Sequence, residues 1–252
     1  MYQGKIEGSE LPKNITIASD FWCPYVCDLK SKEPGYLVEV SKIAFANLGV
    51  RPVFHALGWQ KSIELAENGH VNGIIAAGKT NHGKTLLSSE LLGIDQTVII
   101  TRKAQKFEDE QILKSMDSLI LGVIVDYTYD FNGPLDDYIV KRKLAKDRIV
   151  ILNHSESVKA LFVMLNRNSI DAFPENIFVA QYMAKSLNII EKVTFHPIAR
   201  HDHIFMAFSP DLSGQRLREV FDAEVRLLKS SGRLGMLMLK YGIEDNVTEH
   251  QH

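Results

Sequence analysis

The stretch GYLVEVSKIAFANLGVRPVFHAL, residues 35–57, joins a helical pattern to a strand pattern and decides the fold class. Its apolar residues recur at helical spacing from Leu37 to Leu48, and Gly49 ends the pattern. The apolar run that follows, VRPVFHAL (50–57), has the composition of a strand. A helix that leads directly into a strand is the repeating unit of an α/β fold.

Strand and helix patterns alternate on both sides of this stretch. Up to residue 95 the further patterns are a strand at 14–19, a helix at about Gln60–Asn68 and a strand at 71–77. A second set comprises strands at 96–103, 119–125, 148–152 and 169–173, with helices after Tyr129 and at about Glu156–Arg167. The alternation predicts two α/β lobes without a flexible linker. One more strand (203–209) and two helices (about 212–229 and 231–241) are expected to dock on the first lobe.

Composition indicates a globular protein whose partners are small molecules or other proteins. The chain has 252 residues, with 29 Lys and Arg against 31 Asp and Glu. This balance gives no electrostatic reason to expect nucleic acid or an anionic membrane as a partner. No apolar run approaches the roughly 18 residues of a membrane helix, and residues 1–14 lack the apolar core of a signal peptide.

Two cysteines within one short loop, Cys23 and Cys27, favour an oxidising compartment. Pro24 disfavours a helix through the loop, so a turn is expected, and a turn can bring two Cα atoms within disulfide range. Free thiols are the alternative, whereas a redox-active pair usually has two intervening residues rather than three. A disulfide would fix Trp22 and Tyr25 in place.

Seven segments in succession resemble the family 3 extracellular solute-binding proteins of bacterial transport systems. They run from Ile15 to Gly242: ITIASDFWCPY, GYLVEVSKIAFANLG, LGWQKSIELAENGHVNGIIAAGKT, SSELLG, LGVIVDYTYD, NSIDAFPEN and FMAFSPD…LREVFDAEVRLLKSSGRLGMLMLKYG. The resemblance implies a bilobal clamshell of the type II periplasmic-binding-protein kind, with two α/β lobes joined by two crossover strands near 91–95 and 198–203. Lobe 1 would comprise 1–93 and 201–252, and lobe 2 would comprise 94–200.

The candidate ligand-binding residues lie in the loops at the carboxyl ends of the predicted strands, where ligands of α/β proteins bind. Trp22 and Trp59 have core packing as an alternative role, and Asp20 has loop capping. The complete set is Asp20, Trp22, Tyr25, Trp59, Ala76, Ala77, Gly78, Lys79, Thr80, His82, Lys84, Asp126, Tyr127, Thr128, Tyr129, Glu175 and Asn176.

One departure from the family bears on the ligand. Amino-acid-binding members usually carry a TPER-like stretch whose arginine clamps the ligand α-carboxylate. Here residues 80–84 read TNHGK, so the arginine position is Gly83. Lys84 is a flexible point charge and does not reproduce a planar guanidinium, and the partner of an α-amino group is either Glu175 or Asn176. A standard α-amino acid is therefore disfavoured.

A second polar cluster lies near the second predicted crossover. His196, His201, Asp202 and His203 would form either a metal site or a polar hinge, and the absence of cysteines beside them favours the hinge. We accordingly expect neither a metal nor a cofactor.

The function implied by the resemblance is capture of a small polar ligand for delivery to the membrane permease of an ABC transporter, by a non-enzymatic and monomeric periplasmic protein. We therefore expect that the protein is exported by a signal peptide that this chain does not contain. One alternative is a dehydratase-like enzyme that uses Glu175, Asp126 or His82. Another is the ligand-sensing module of a receptor, although the polar tail past Tyr241 favours a free protein.

Overall fold

Strands and helices alternate in the computed structural model, which describes residues 11–105, 112–153, 156–245 and 247. The strands are β1 (Asn14–Ser19), β2 (Arg51–Ala56), β3 (Gly73–Ala77), β4 (Leu86–Leu87), β5 (Gly93–Arg102), β6 (Leu121–Ile124), β7 (Ile149–Leu152), β8 (Ala172–Asn176) and β9 (Val193–Phe208). The helices are α1 (Tyr36–Asn47), α2 (Trp59–Glu67), α3 (Ile112–Ser115), α4 (Pro134–Ala145), α5 (Ser157–Asn166), α6 (Ile177–Ser186), α7 (Leu212–Ser230) and α8 (Arg233–Lys240). Most of the polar N-terminus and of the polar tail lies outside the described residues.

The strands are hydrogen-bonded in the order β2-β1-β3-β9-β5-β8-β6-β7, and β4 also pairs with β9. At one end of this order β2, β1 and β3 are parallel, and at the other end β7, β6 and β8 are parallel. Between them, β9 and β5 run antiparallel to their neighbours. This arrangement confirms the predicted α/β class.

Two long strands connect the two ends of the sheet. β5 pairs with β9 from Gly93 opposite Ile204 to Arg102 opposite Val193, and the last residues of β9 pair with β3. Both predicted crossovers fall in or beside this ladder. The lobe boundaries themselves stay a prediction, and below we call the β1–β3 end the first lobe and the β6–β8 end the second lobe.

The short elements β4 and α3 were not predicted, and two longer elements also differ from the sequence expectation. β9 begins at Val193, ten residues before the strand predicted at His203, because antiparallel pairing with β5 satisfies the backbone of the polar segment 196–203. Helix α6 was not predicted. It begins where the Asn176 side chain accepts hydrogen bonds from the backbone N–H groups of Phe178 and Val179.

The C-terminal helix α7 packs on the first lobe through aromatic contacts. The Phe221 ring stacks on Phe45 of α1 at a centroid distance of 5.5 Å and meets Phe208 of β9 edge-on at 5.6 Å. All three side chains are fully buried. Such aromatic pairs add to the stability that area burial provides. Within the described part of the chain, we find no helix with the length and apolarity needed to span a membrane.

Candidate functional site

A cavity of about 50 Å³ lies between the two lobes, where the carboxyl ends of β1, β3, β6 and β8 converge. This position is the one expected for a ligand site in an α/β protein. Its lining consists of Ser19, Asp20, Trp22, Trp59, Ala76, Asn81, Asp95, Thr97, Tyr127, Thr128, Tyr129, Glu175 and Asn176.

Nine of the seventeen candidate residues line this cavity: Asp20, Trp22, Trp59, Ala76, Tyr127, Thr128, Tyr129, Glu175 and Asn176. Sequence reasoning missed Ser19, Asn81, Asp95 and Thr97. The strand-end rule applied one residue earlier would have found Ser19, and Asn81 lies within the TNHGK segment. Asp95 and Thr97 lie inside β5, and no local signal in the sequence marks them.

Tyr25 and Ala77, both predicted to contact ligand, do not line the cavity and are left out of the proposed ligand-binding set. Both are fully buried. The Tyr25 ring stacks on the Trp22 ring at a centroid distance of 4.5 Å, on the side of Trp22 away from solvent. Ala77 follows the irregularity of β3 at Ala76 and belongs to the buried core cluster that contains Ile63.

The loop after β3 also departs from the prediction. Lys79, Thr80 and Lys84 are exposed and do not line the cavity. His82 is turned into its own loop, where Nδ1 lies 3.1 Å from the carbonyl oxygen of Thr85. Gly78 borders only a neighbouring space of about 20 Å³ beside Asp202.

Asp126 lies in an outer groove of about 560 Å³, which shares Asp20, Trp59 and Tyr127 with the cavity. Asp126 itself has a positive φ of 61°, which places it in the tight turn after β6.

The missing arginine has a backbone cause. Gly83 has a φ of +61°, a conformation that side-chain-bearing residues rarely adopt. A Cβ atom there would lie 2.8 Å from Cγ2 of Ile63 and would also collide with the Glu67 carboxylate. A side chain at position 83 would therefore point at α2. Asn81 occupies the rim instead, with Oδ1 accepting a hydrogen bond of 2.8 Å from the Gly78 N–H.

Glu175 at the end of β8 is the most buried acid of the cavity, with 2% of its surface exposed. Its Oε1 accepts hydrogen bonds from Trp22 Nε1 at 3.0 Å and from the Asn176 N–H at 2.8 Å. Its Oε2 is buried and has no hydrogen-bond partner among the described residues. Burial raises the pKa of Glu175 to about 8, and the nearby carboxylates of Asp95 and Asp20 contribute to the rise.

Asp95 and Asp20 complete a group of three acids. Asp95 Oδ1 accepts a hydrogen bond of 2.8 Å from Asn176 Nδ2, while burial, reinforced by the Asp202 carboxylate, raises the pKa of Asp95 to about 6. Asp20 Oδ1 accepts from the Phe21 N–H at 2.7 Å, so it does cap its loop. Burial raises the pKa of Asp20 as well.

Side-chain hydrogen bonds cross the cavity from the loops of one lobe to those of the other. They hold the two walls at hydrogen-bonding distance. The pairs are Trp22 Nε1 with Glu175 Oε1 at 3.0 Å, Tyr127 OH with Asp20 Oδ2 at 3.0 Å, and Asn81 Nδ2 with Thr128 Oγ1 at 3.4 Å.

A disulfide hairpin positions Trp22. Cys23 and Cys27 form the predicted disulfide, with Cα atoms 4.5 Å apart. The Trp22 N–H donates to the Val26 carbonyl at 2.8 Å. Gly35 packs so closely behind the hairpin that a Cβ would lie 2.8 Å from the Cys27 nitrogen, which fixes the hairpin against the start of α1.

Solved structures identify this architecture. A histidine kinase sensor domain with similarity to periplasmic binding proteins is 14% identical, with a TM-score of 0.74 over 90% of this chain and 95% of that chain. An ABC uptake transporter substrate-binding protein from Streptococcus pneumoniae with bound histidine is 16% identical, with a TM-score of 0.75 over 94% and 95%. The chain has the periplasmic-binding-protein fold. The predicted bilobal fold class is thereby confirmed.

A further structure with this periplasmic-binding-protein fold comes from work on glutathione import via GshT and the cystine ABC importer TcyBC of Streptococcus mutans. It is 16% identical, with a TM-score of 0.75 over 93% of this chain and 97% of that chain. Sequence comparisons add nothing to this, because no protein-family model and no curated protein matches the chain.

The histidines beside the second crossover do not assemble a metal site in the part of the chain that the structure describes, where no group of three or more metal-ligating side chains occurs. His196 is buried and pairs with Thr101 Oγ1 at 3.0 Å. The His201 and His203 rings lie 6.3 Å apart on β9. Asp202, between them, accepts hydrogen bonds from the Lys79 N–H and ties the loop after β3 to β9.

Proposed function

We propose that this protein is a solute-binding protein that holds a small molecule in the cavity between its lobes and delivers it to the membrane permease of an ABC transporter. The observation that carries the proposal is the cavity itself, to which both lobes contribute polar side chains. Cross-lobe hydrogen bonds such as that from Trp22 to Glu175 would hold the two lobes together over a bound ligand. Hinge closure of this kind is typical of periplasmic binding proteins.

The nine candidate residues that line the cavity, together with Ser19, Asn81, Asp95 and Thr97, are the proposed ligand-binding set. The proposal includes binding without chemistry, since the similar Streptococcus pneumoniae structure is described as a substrate-binding protein. It also includes an extracytoplasmic location, which the Cys23–Cys27 disulfide supports. The lobe limits at 93 and 200 belong to the same proposal.

The ligand is not a standard α-amino acid. Recognition of an α-carboxylate needs a cation or an array of free donors, and no Lys, Arg or His among the described residues lines the cavity. Gly83 stands at the expected arginine position, and its backbone directs any side chain toward α2. The acids of the cavity would repel a carboxylate.

Ligand binding can be followed by intrinsic fluorescence, because both tryptophans of the chain, Trp22 and Trp59, line the cavity. A panel of amines, amino acids, carboxylic acids, sugars and peptides would be screened by thermal shift, and each hit titrated by fluorescence. A true ligand raises the melting temperature because it binds only the folded state.

The matched variants are Trp59→Ala in the cavity and Met236→Ala on the exposed surface of α8. Trp59→Ala should abolish the thermal shift, and Met236→Ala should leave it unchanged. Equal shifts in both variants would refute binding in the cavity.

A sensory role is the second candidate, and the similarity to a histidine kinase sensor domain favours it. The two functions differ in the partner of the closed form. A transport role predicts that ligand-loaded protein stimulates ATP hydrolysis by a reconstituted ABC transporter encoded beside its gene. A sensory role predicts no stimulation, together with ligand-dependent autophosphorylation of a kinase joined to the domain.

A further inference from the structure

We infer that the ligand is a small protonated amine without a carboxylate, whose ammonium group lies among Asp20, Asp95 and Glu175. This inference rests on the proposed function, because it names the class of solute that the cavity takes. Five observations carry it: the charge of the lining, the state of its hydrogen-bond donors, a buried acceptor without a partner, its aromatic walls and its size.

The charge of the lining has one sign. Three of its thirteen residues are acids and none is Lys, Arg or His. The carboxylates of Asp95 and Asp20 both raise the pKa of Glu175. An anion placed in the cavity would meet only carboxyl groups, whereas a cation would favour their ionised form.

Most of the side-chain donors around the cavity are already in use. Six of them donate to protein acceptors: Ser19 Oγ, Trp22 Nε1, Asn81 Nδ2, Thr97 Oγ1, Tyr127 OH and Asn176 Nδ2.

An acceptor, by contrast, is left over. Glu175 Oε2 is buried and has no hydrogen-bond partner among the described residues, although Glu175 lines the cavity. A buried polar atom without a partner is costly, and native proteins seldom keep one without a reason. The cavity therefore needs a donor from the ligand, which a protonated amine supplies and a quaternary ammonium does not.

The aromatic walls suit the same ligand. Trp22, Trp59, Tyr127 and Tyr129 all line the cavity, and the faces of such rings attract a cation when water is excluded. The Trp22 ring is held in place on one side by Tyr25 and at its edge by Glu175. A fixed aromatic wall lowers the ordering cost of binding.

The volume limits the size of the ligand. A cavity of 50 Å³ holds about four water-sized groups when each takes roughly 10 to 15 Å³. An amine of a few heavy atoms fits this space. A longer diamine would place its second nitrogen in the adjoining groove, which carries Asp126 and the ion pair of Lys61 with Glu64.

Calorimetric titration of refolded, ligand-stripped protein would test the inference. The compounds are ethanolamine, 1,4-diaminobutane, tetramethylammonium, alanine and acetate. At least one of the two amines should bind more tightly than the other three compounds, at pH 8. Tighter binding of alanine, acetate or tetramethylammonium, or no binding of either amine, would overturn the inference.

The decisive variant is Glu175→Gln, which keeps the shape of the side chain and removes its charge. We expect it to weaken amine binding by about 30-fold or more, as loss of one partner of a buried charge pair usually does. Asp95→Asn is the second variant, in case the first does not fold. Glu219→Gln, on the exposed face of α7, is the matched control and should change affinity less than about twofold.

The outcome separates this inference from the proposed function. If a solute of another class binds and Trp59→Ala abolishes that binding, the solute-binding function stands and the amine inference fails. If amines bind equally well to wild type and to both acid variants, the inference also fails. If no member of the wider panel binds, both fail.

Discussion

The end of β8 and the loop after β3 approach the cavity from opposite lobes. The charged side chain of β8 is buried in the cavity, whereas those of the loop point into solvent. β8 carries Glu175 and Asn176 into the cavity, where both are almost fully buried. The loop holds Lys79 and Lys84, yet both are exposed and neither lines the cavity. The charge of the site is thus set by the path of the backbone and not by which residues occur nearby in sequence.

The largest effect is expected from removing the charge at the end of β8. The folded-state pKa of Glu175 is raised to about 8, so the folded protein favours the protonated carboxyl. The stability that the protonated form contributes is fully present below about pH 4.5 and is lost as the pH rises through 8. Glu175→Gln without ligand should therefore be more stable than wild type at pH 9, by about 2 to 4 kcal/mol, with a much smaller difference at pH 4.5.

Urea unfolding at both pH values measures this difference. Glu219→Gln is the control and should follow wild type at each pH. A Glu175→Gln variant that is destabilised equally at pH 4.5 and pH 9 would show that the buried charge is not the cause.

The loop side of the comparison is tested at Gly83. Gly83→Ala should lower the free energy of unfolding by about 2 to 3 kcal/mol. The new Cβ would clash with Ile63, and the positive φ is itself unfavourable for alanine. Gly49→Ala is the matched control, because Gly49 has a φ of +70° and no atom lies within 4 Å of the place a Cβ would take. It should cost about 1 kcal/mol. Equal losses would mean that the loop does not press against α2.

The hairpin that holds Trp22 against Glu175 gives a third test. Replacing Cys23 and Cys27 by serine should lower stability by about 2 kcal/mol, the low end for a disulfide that closes a short loop. The Trp22 side chain should also become more exposed, so that a soluble quencher reduces its fluorescence more strongly. This is measured in a Trp59→Phe background, in which Trp22 is the remaining tryptophan. Unchanged quenching would show that the contact with Glu175 fixes Trp22 without the disulfide.

The smallest effect is expected at Asn176. Asn176→Ser keeps an oxygen that can cap α6 but loses the donor to Asp95, so it should cost about 1 kcal/mol. The pKa of Asp95 should then rise further above about 6, since that hydrogen bond favours the ionised form. Nuclear magnetic resonance titration of the Asp95 carboxyl measures the change. Asp211→Ser, at the N-terminus of α7, controls for the cap alone.

Much of the architecture could be predicted from local pattern. The spacing in residues 35–57 correctly predicted α1 and β2, because burial of one helix face and of a strand leaves a direct trace in the order of apolar residues. The proline between Cys23 and Cys27 predicted the turn that the structure closes with a disulfide. The strand-end rule brought nine candidate residues to the cavity, since the direction of each strand fixes which loops meet.

The sequence by itself determined the α/β class, the turn that carries Cys23 and Cys27, and the absence of an arginine at position 83. Only the tertiary structure decided that Asp95 faces the cavity, that Lys84 does not, and that Glu175 keeps an oxygen with no partner among the described residues. Apolar periodicity reports whether a residue is buried, but not which other segment is buried against it. The charge and hydrogen-bonding state of a site depend on those long-range neighbours, and they appear only when the chain is folded.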